Sequence, residues 1–181
     1  MGDAYTPYGN PEFTGCFYGN AFQDQNGFER YRSDFTTAMT MKAIERYDGV
    51  AYDYLDYMGL PEVSQSYIED NVILFSNLFG PIGAGDRIPD YKLKQGVTIG
   101  DFAPEKHYRK YFSEALDEKI GNREILDLRA GFYDKFYTPK HRPITLKFLQ
   151  QGKVVSHWDK AYGGIVLREA ALRRADSLDA L

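Results

Sequence analysis

The chain has 181 residues, of which 43% are apolar, so it is long enough to bury one core, and we predict a single domain over residues 1–181. No apolar run is long enough for a membrane-spanning helix, and the single cysteine, Cys16, excludes an internal disulfide. The amino terminus does not resemble a secretory signal. We therefore expect a soluble, cytoplasmic protein without a membrane partner.

The net charge of -4 is unevenly distributed along the chain. Residues 1–90 carry 14 acids and 5 bases, residues 91–134 carry 8 of each, and residues 135–181 carry 9 bases and 4 acids. Such a gradient can provide an anion-binding face near the carboxyl terminus, for a phosphate ligand or for nucleic acid. Alternatively, the acidic and basic parts pack together and neutralise each other.

The first half of the chain predicts short helices after an irregular start. The first 35 residues are rich in Gly, Asn, Pro and aromatic residues without a regular period, which indicates loops and short elements. Apolar residues at helical spacing and the Gly and Pro residues between them then define the segments. Three helices are predicted, one from Thr36 or Thr37 to Tyr47, one over residues 50–57 and one beginning at Ser64.

A short apolar run, VILFSNLFG at residues 72–80, is typical of a strand buried on both faces. The glycine-rich segment PIGAGDRIPDY follows it, and we predict a loop there. Loops after buried strands often hold ligands in α/β proteins, although many are simple connections. The alternating YKLKQ segment at residues 91–95 then predicts an exposed strand.

The second half contains the clearest helix, which begins at Pro104 and ends before Gly121. The segment EILDLR at residues 124–129 predicts a strand, and ITLKFLQ-QG-KVVSHW over residues 144–158 predicts a β-hairpin. A last helix is predicted over about residues 160–175. Because strands and helices mix without a strict βαβ order, the predicted fold class is α+β, or mixed α/β.

The sequence does not contain a recognised catalytic or metal-binding motif. The three histidines, His107, His141 and His157, lie on different predicted elements without the spacing of a zinc site. A nucleophile elbow is missing as well. We therefore predict no metal and no cofactor, and we assign no catalytic residue.

The segment SHWDKAYGGIVLRE has the layout of an anion site. Lys160 precedes the Gly163-Gly164 pair, and Arg168 follows one to two helical turns later. Together they can present an ammonium group, exposed amides and a guanidinium group to one anion. The alternative is two surface cations on either side of a turn.

Four stretches in order resemble the YaaA family, also called UPF0246 or DUF328. They are MKAIERYDGVAYDYLDY, NVILFSNLFGPIGAGDRIPDYKLKQG, ILDLRAGFYDKFY and VSHWDKAYGGIVLRE, and the resemblance covers roughly residues 39–172, while residues 1–38 diverge. It implies a cytoplasmic protein that limits damage during hydrogen-peroxide stress and is linked to intracellular iron control. It also implies a mixed α/β fold peculiar to the family, with a helix-hairpin-helix element and DNA binding.

The resemblance and the residue patterns together indicate one set of candidate ligand or DNA contacts. We expect Lys92, Lys160 and Arg168 to share a cleft. The full set of candidates is Asp86, Tyr91, Lys92, Lys94, Ser156, Lys160, Gly164 and Arg168.

Three functions follow as alternatives. The first is a stress protein that binds double-stranded DNA through its basic carboxyl-terminal half. The second is an enzyme or small-ligand protein that holds a phosphorylated or carboxylated molecule near Lys92, Lys160 and Arg168. The third is an inactive or structural relative, because the family's usual amino-terminal lysine segment is replaced by MGDAYTPYGNPEF and an expected arginine is replaced by Gly163.

Overall fold

A computed structural model describes residues 37–147, 149–150, 153–154 and 159–180. The predicted α+β class is confirmed, because helices and short strands alternate in this part of the chain. The helices are α1 (Ala43–Arg46), α2 (Val50–Leu55), α3 (Glu62–Asn71), α4 (Pro104–Ile120) and α5 (Asp159–Arg173). The strands are β1 (Thr40–Lys42), β2 (Ile73–Ser76), β3 (Gly80–Gly83), β4 (Arg87–Pro89), β5 (Leu126–Asp127), β6 (Ile144–Thr145), β7 (Leu149–Gln150) and β8 (Lys153–Val154).

The strands pair two by two in the described part of the chain. Strands β1 and β4 are antiparallel with Met41 opposite Ile88, and β2 and β3 form an antiparallel hairpin with Leu74 opposite Ile82. Strands β5 and β6 are parallel, and β7 and β8 are antiparallel. No larger sheet forms among these residues, so helix packing contributes most of the described core.

The prediction of a helix from Thr36 or Thr37 to Tyr47 is wrong in its first half. Residues 40–42 form β1, and only Ala43–Arg46 is helical. Distant partners explain the difference: the amide of Ala43 donates to the carbonyl of Asp86 at 2.7 Å, and that of Ile44 donates to Ala84 at 3.0 Å. Pairing with a segment over forty residues away overrides the local helical period.

The glycine-rich segment after residue 80 contains two strands, β3 and β4, so the prediction of a plain loop is wrong. The preceding strand is shorter than predicted and half-buried, because it pairs with β3 as a hairpin instead of lying inside a sheet. The predicted strand at residues 91–95 is also absent, since this segment has no regular structure.

The other helices and the hairpin agree with the sequence. Helix α2 lies within the predicted segment, α3 begins two residues earlier than predicted, and α4 and α5 lie where expected. The hairpin is confirmed only in its centre, by β7 and β8 with Gln150 opposite Lys153. The start of its predicted first strand is wrong, because Ile144–Thr145 forms β6 and pairs in parallel with β5. The strand predicted at residues 124–129 is reduced to β5.

The main core lies between α2, α3 and α5, where Leu55, Ile68 and Ala171 are buried. The closest helix contact is at Gly164 of α5: a Cβ atom placed there would be 2.1 Å from the carbonyl oxygen of Ala51 in α2. Only a glycine allows this approach. None of the described helices is both long and apolar enough to cross a membrane.

Candidate functional site

The candidate site is a cluster of aromatic hydroxyl groups between α1, β2 and the segment after β4. The hydroxyl of Tyr91 lies 2.5 Å from the hydroxyl of Tyr47 and 2.5 Å from the hydroxyl of Ser76. The ring of Tyr52, in α2, contacts the ring of Tyr47 at a centroid distance of 5.9 Å. The ring of Phe79 packs edge-on against Tyr91 at 5.0 Å. Tyr133 interacts electrostatically with Tyr52 and with Tyr91. We call Tyr47, Tyr52, Ser76, Tyr91 and Tyr133 the tyrosine cluster.

The backbone sets the direction of the hydrogen bond between Ser76 and Tyr91. Ser76 is fully buried, and its Oγ accepts hydrogen bonds from the amides of Leu78, at 3.1 Å, and Phe79, at 2.8 Å. These bonds occupy both lone pairs of the oxygen, so the Ser76 proton is donated to Tyr91. In the Tyr47–Tyr91 pair either hydroxyl can be the donor. Because Tyr91 accepts from Ser76 and the two phenols share one hydrogen bond, one of their two protons remains for another acceptor.

The phenols of the cluster stay protonated at physiological pH. Burial raises the pKa of Tyr91 above its ordinary value, and the neighbouring Tyr47 raises it further. Burial also raises the pKa values of Tyr47, Tyr52 and Tyr133. Burial disfavours a phenolate because the charged form loses its solvation. The cluster can therefore donate hydrogen bonds to a ligand, whereas it is a poor general base.

Two polar atoms next to the cluster are buried without a hydrogen-bond partner among the residues that the structure describes. They are Nε of Arg46 and Oδ1 of Asn77. The other groups of these side chains are engaged, since Arg46 contacts Ile88 and Asp90 and the Asn77 amide donates to the carbonyl of Leu93 at 3.1 Å. Buried polar groups normally have partners. These two atoms are thus suited to a polar ligand or to water.

Three of the predicted cations are exposed. Lys92 directly follows Tyr91, and Lys94 lies two residues further along; both are exposed. Lys160 is exposed on the first turn of α5. Within the described ranges none of the three takes part in an ion pair of 4.0 Å or less.

Gly164 and Arg168 have structural roles that link α5 to α2. Arg168 donates from Nη1 to the carbonyls of Leu55, at 2.7 Å, and Asp56, at 2.9 Å. It thereby binds the last carbonyls of α2, where helices lack internal partners. Because Gly164 contacts Ala51 and Arg168 contacts residues four positions later, the two helices run in the same direction at this contact.

The packing of α5 against α2 indicates where Lys160 lies relative to the tyrosine cluster. Lys160 lies one turn before Gly164 on the same face of α5, and Gly164 packs against Ala51, the neighbour of Tyr52. Lys160 therefore lies toward the amino-terminal end of α2. Tyr52, which contacts Tyr47, lies near the same end.

Asp86 stabilises the turn between β3 and β4. Its carboxylate accepts a hydrogen bond from the Gly83 amide at 2.8 Å, and its carbonyl accepts the bond from Ala43 described above. The predicted site residue Ser156 lies outside the described residues, as do Cys16 and His157.

Sequence reasoning missed Tyr47 and the chain of hydroxyls that ends there. Tyr47 is 44 residues away from Tyr91, so spacing could not relate them. A local signal for the Ser76 end did exist, because a serine followed by two turn residues after a strand often accepts their amides. Among the described residues, the structure thus brings Tyr91 together with Tyr47 and Ser76, and leaves the predicted lysines exposed.

The fold and the site define an α+β protein with a neutral, hydrogen-bonded tyrosine cluster as its candidate site. The family model described as "Peroxide stress protein YaaA" matches residues 17–181. This match covers most of the chain, so the chain belongs to the YaaA peroxide stress protein family, whose members include UPF0246 proteins.

Individual relatives agree with this assignment. The "Uncharacterized protein Cj0984" of Campylobacter jejuni is 52% identical over 149 residues, covering 82% of this chain and 61% of the relative. The "UPF0246 protein SCO2297" of Streptomyces coelicolor is 35% identical, covering 75% of this chain and 55% of its own length. A UPF0246 protein of Corynebacterium glutamicum is 36% identical, with 80% and 60% covered. The matched part of this chain thus spans roughly 60% of the length of these curated relatives.

Proposed function

We propose that the protein acts in the hydrogen-peroxide stress response by binding duplex DNA with its exposed lysines Lys92, Lys94 and Lys160. The observation that carries this proposal is the exposure of Lys92, Lys94 and Lys160, none of which is neutralised by a described carboxylate. The family resemblance also implies a link to intracellular iron control, which we include in the proposed physiological role.

The proposed interaction is electrostatic and does not depend on DNA sequence. An ammonium group that approaches a phosphate releases a condensed counterion, so affinity falls as the salt concentration rises. Three such contacts lower the affinity about 40-fold between about 50 and 200 mM salt. Arg168 is not among the proposed contacts, because its guanidinium group already binds α2.

The test is a fluorescence-anisotropy titration of a labelled duplex of about 20 base pairs at these two salt concentrations. We expect wild type to bind at the lower concentration, and the variant Lys92→Ala/Lys94→Ala/Lys160→Ala to bind weakly with a much smaller salt dependence. Lys119→Ala, at an exposed lysine on the last turn of α4, is the matched control and should bind like wild type. No binding at the lower salt concentration, or equal binding by the triple variant, would contradict the proposal.

A second candidate function is the binding of a small phosphorylated or carboxylated molecule, as an enzyme or as a ligand-binding protein. The observation that favours it is the chain of hydroxyls, in which one phenol proton of the Tyr47–Tyr91 pair is not used between the two rings. A neutral phenol donor beside exposed lysines suits a phosphate or carboxylate oxygen.

Isothermal titration calorimetry with inorganic phosphate and with citrate distinguishes this candidate from duplex binding. We expect binding that changes little between about 50 and 200 mM salt and weakens roughly ten- to hundredfold in Tyr47→Phe, because a hydrogen bond to a charged acceptor contributes about 1.5–3 kcal/mol. Tyr54→Phe alters an exposed tyrosine of α2 and serves as the control. If neither DNA nor these anions bind, the alternative of an inactive relative is favoured.

A further inference from the structure

The first half of α4 presents aromatic rings to solvent. The side chain of Tyr111 is 60% exposed and that of Phe112 is 39% exposed. Helical spacing gives each of them an aromatic neighbour one turn earlier: the ring centroids of His107 and Tyr111 are 4.9 Å apart, and those of Tyr108 and Phe112 are 5.1 Å apart. Together these four rings form the surface that we call the α4 platform.

Contacts with the protein interior hold the Tyr108 ring of the platform in place. The hydroxyl of Tyr108 donates to the carbonyl of Leu78 at 2.7 Å, and its ring stacks on the buried Phe136 at 6.2 Å. Gly80 makes this possible, because a Cβ atom there would be 2.3 Å from the Tyr108 ring. The exposed rings therefore extend from the packed interior, and ordering them on binding costs little entropy.

The platform also carries positive charge. Residues 106–112 contain three exposed cations and no acid, and the ammonium group of Lys110 lies 4.8 Å from the centroid of the Tyr111 ring. A cation at the edge of an exposed ring can contact a phosphate while the face of the ring stacks on a base. The three cations are Lys106, Arg109 and Lys110.

We propose that the α4 platform binds single-stranded nucleic acid, with bases stacked on Tyr111 and Phe112 and phosphates beside Lys106 and Lys110. Aromatic side chains interleaved with cations are the usual means of binding single strands, because every base has a stacking face. Paired bases are already stacked within a duplex and do not need such rings. The proposal therefore goes beyond the duplex binding proposed above and does not depend on it.

The experiment compares two fluorescein-labelled 12-mers by anisotropy at about 50 mM salt, oligo(dT) and an abasic strand with the same phosphates. We expect oligo(dT) to bind much more tightly than the abasic strand. Tyr111→Ala should weaken oligo(dT) binding roughly five- to hundredfold, the loss typical of one stacked base, and should leave binding of the abasic strand unchanged. Tyr54→Ala, at a tyrosine that is 42% exposed on α2, is the matched control and should bind like wild type.

Equal binding of the two strands would overturn the proposal, because the surface would then recognise charge alone. Unchanged oligo(dT) binding by Tyr111→Ala would also overturn it. If that variant instead changes the mass measured by light scattering, the platform is a contact between copies of the chain. The lysine variant used in the duplex test should retain oligo(dT) binding, so the two proposals can fail separately.

Discussion

Replacement of Gly164 by alanine is expected to lower the free energy of unfolding by about 1–3 kcal/mol, the usual range for a side chain forced into a packed interface. The added methyl group would be 2.1 Å from the carbonyl oxygen of Ala51 and 3.1 Å from the amide nitrogen of Leu55. Both atoms belong to the backbone of α2, so the overlap cannot be relieved by a side-chain rotation. The two helices must separate, which would also weaken the bonds from Arg168 to the end of α2.

Gly163 provides the matched control one residue earlier in the same helix. A Cβ atom at Gly163 would meet no atom within 4 Å. Gly163→Ala should therefore raise the stability by up to about 1 kcal/mol, because alanine is the better helix former. Urea denaturation followed by circular dichroism measures both variants. Equal midpoints for Gly164→Ala and wild type would show that the contact between α2 and α5 is not close.

Elements with local start and stop signals could be predicted from the sequence, and elements with distant partners could not. Helix α4 begins at Pro104, whose fixed φ suits the first helical turn, and ends at Gly121, which has a φ of +59°. By contrast, β1 exists because it pairs with β4, with Thr40 opposite Pro89. No local pattern in the sequence contains that pairing.

The candidate site was predictable only in part, for a related reason. The spacing of Lys160, Gly164 and Arg168 was interpreted as an anion site, but the same spacing also places residues on one face of a helix, where they can contact a neighbouring helix. In the structure Gly164 and Arg168 take part in the contact between α2 and α5. Lys160 lies beyond the end of this contact and is exposed. The hydroxyl chain from Ser76 to Tyr47 depends on tertiary contacts, which spacing does not reveal.

The largest effect on stability is expected at Arg129, which joins β5 to the residues that follow it. Its guanidinium group donates to Asp127 at 2.9 and 2.8 Å, and to the carbonyl of Tyr137 at 3.2 Å. It also lies over the ring of Phe75, 4.6 Å from the centroid. The side chains of Arg129 and Asp127 are only 14% and 11% exposed, so each needs the other as its partner.

Arg129→Ala should lower the free energy of unfolding by about 3–5 kcal/mol near pH 7, because it leaves the Asp127 carboxylate buried without its counter-ion. Arg129→Lys should recover only part of this loss. It restores the positive charge, but an ammonium group cannot make the two parallel hydrogen bonds that the guanidinium group makes to the carboxylate. Arg123→Ala removes an exposed arginine whose guanidinium group donates to carbonyls at the end of α4, and it should change the stability by less than about 1 kcal/mol.

The pH dependence tests the cause of this loss. Burial alone would raise the pKa of Asp127, but the hydrogen bonds and charge of Arg129 outweigh it, so the pKa lies below its ordinary value in the folded protein. A lowered folded pKa adds stability above the unfolded pKa of about 3.9, and this stability is lost as the pH falls. In Arg129→Ala the backbone amide of residue 129 can still donate to Asp127, but the side-chain bonds and the positive charge are lost, so the pKa of Asp127 should rise. The difference in unfolding free energy between wild type and Arg129→Ala, measured by urea denaturation, should therefore shrink between about pH 7 and pH 3. A difference that stays constant over this range would mean that packing of Arg129 on Phe75, and not its charge, accounts for the loss.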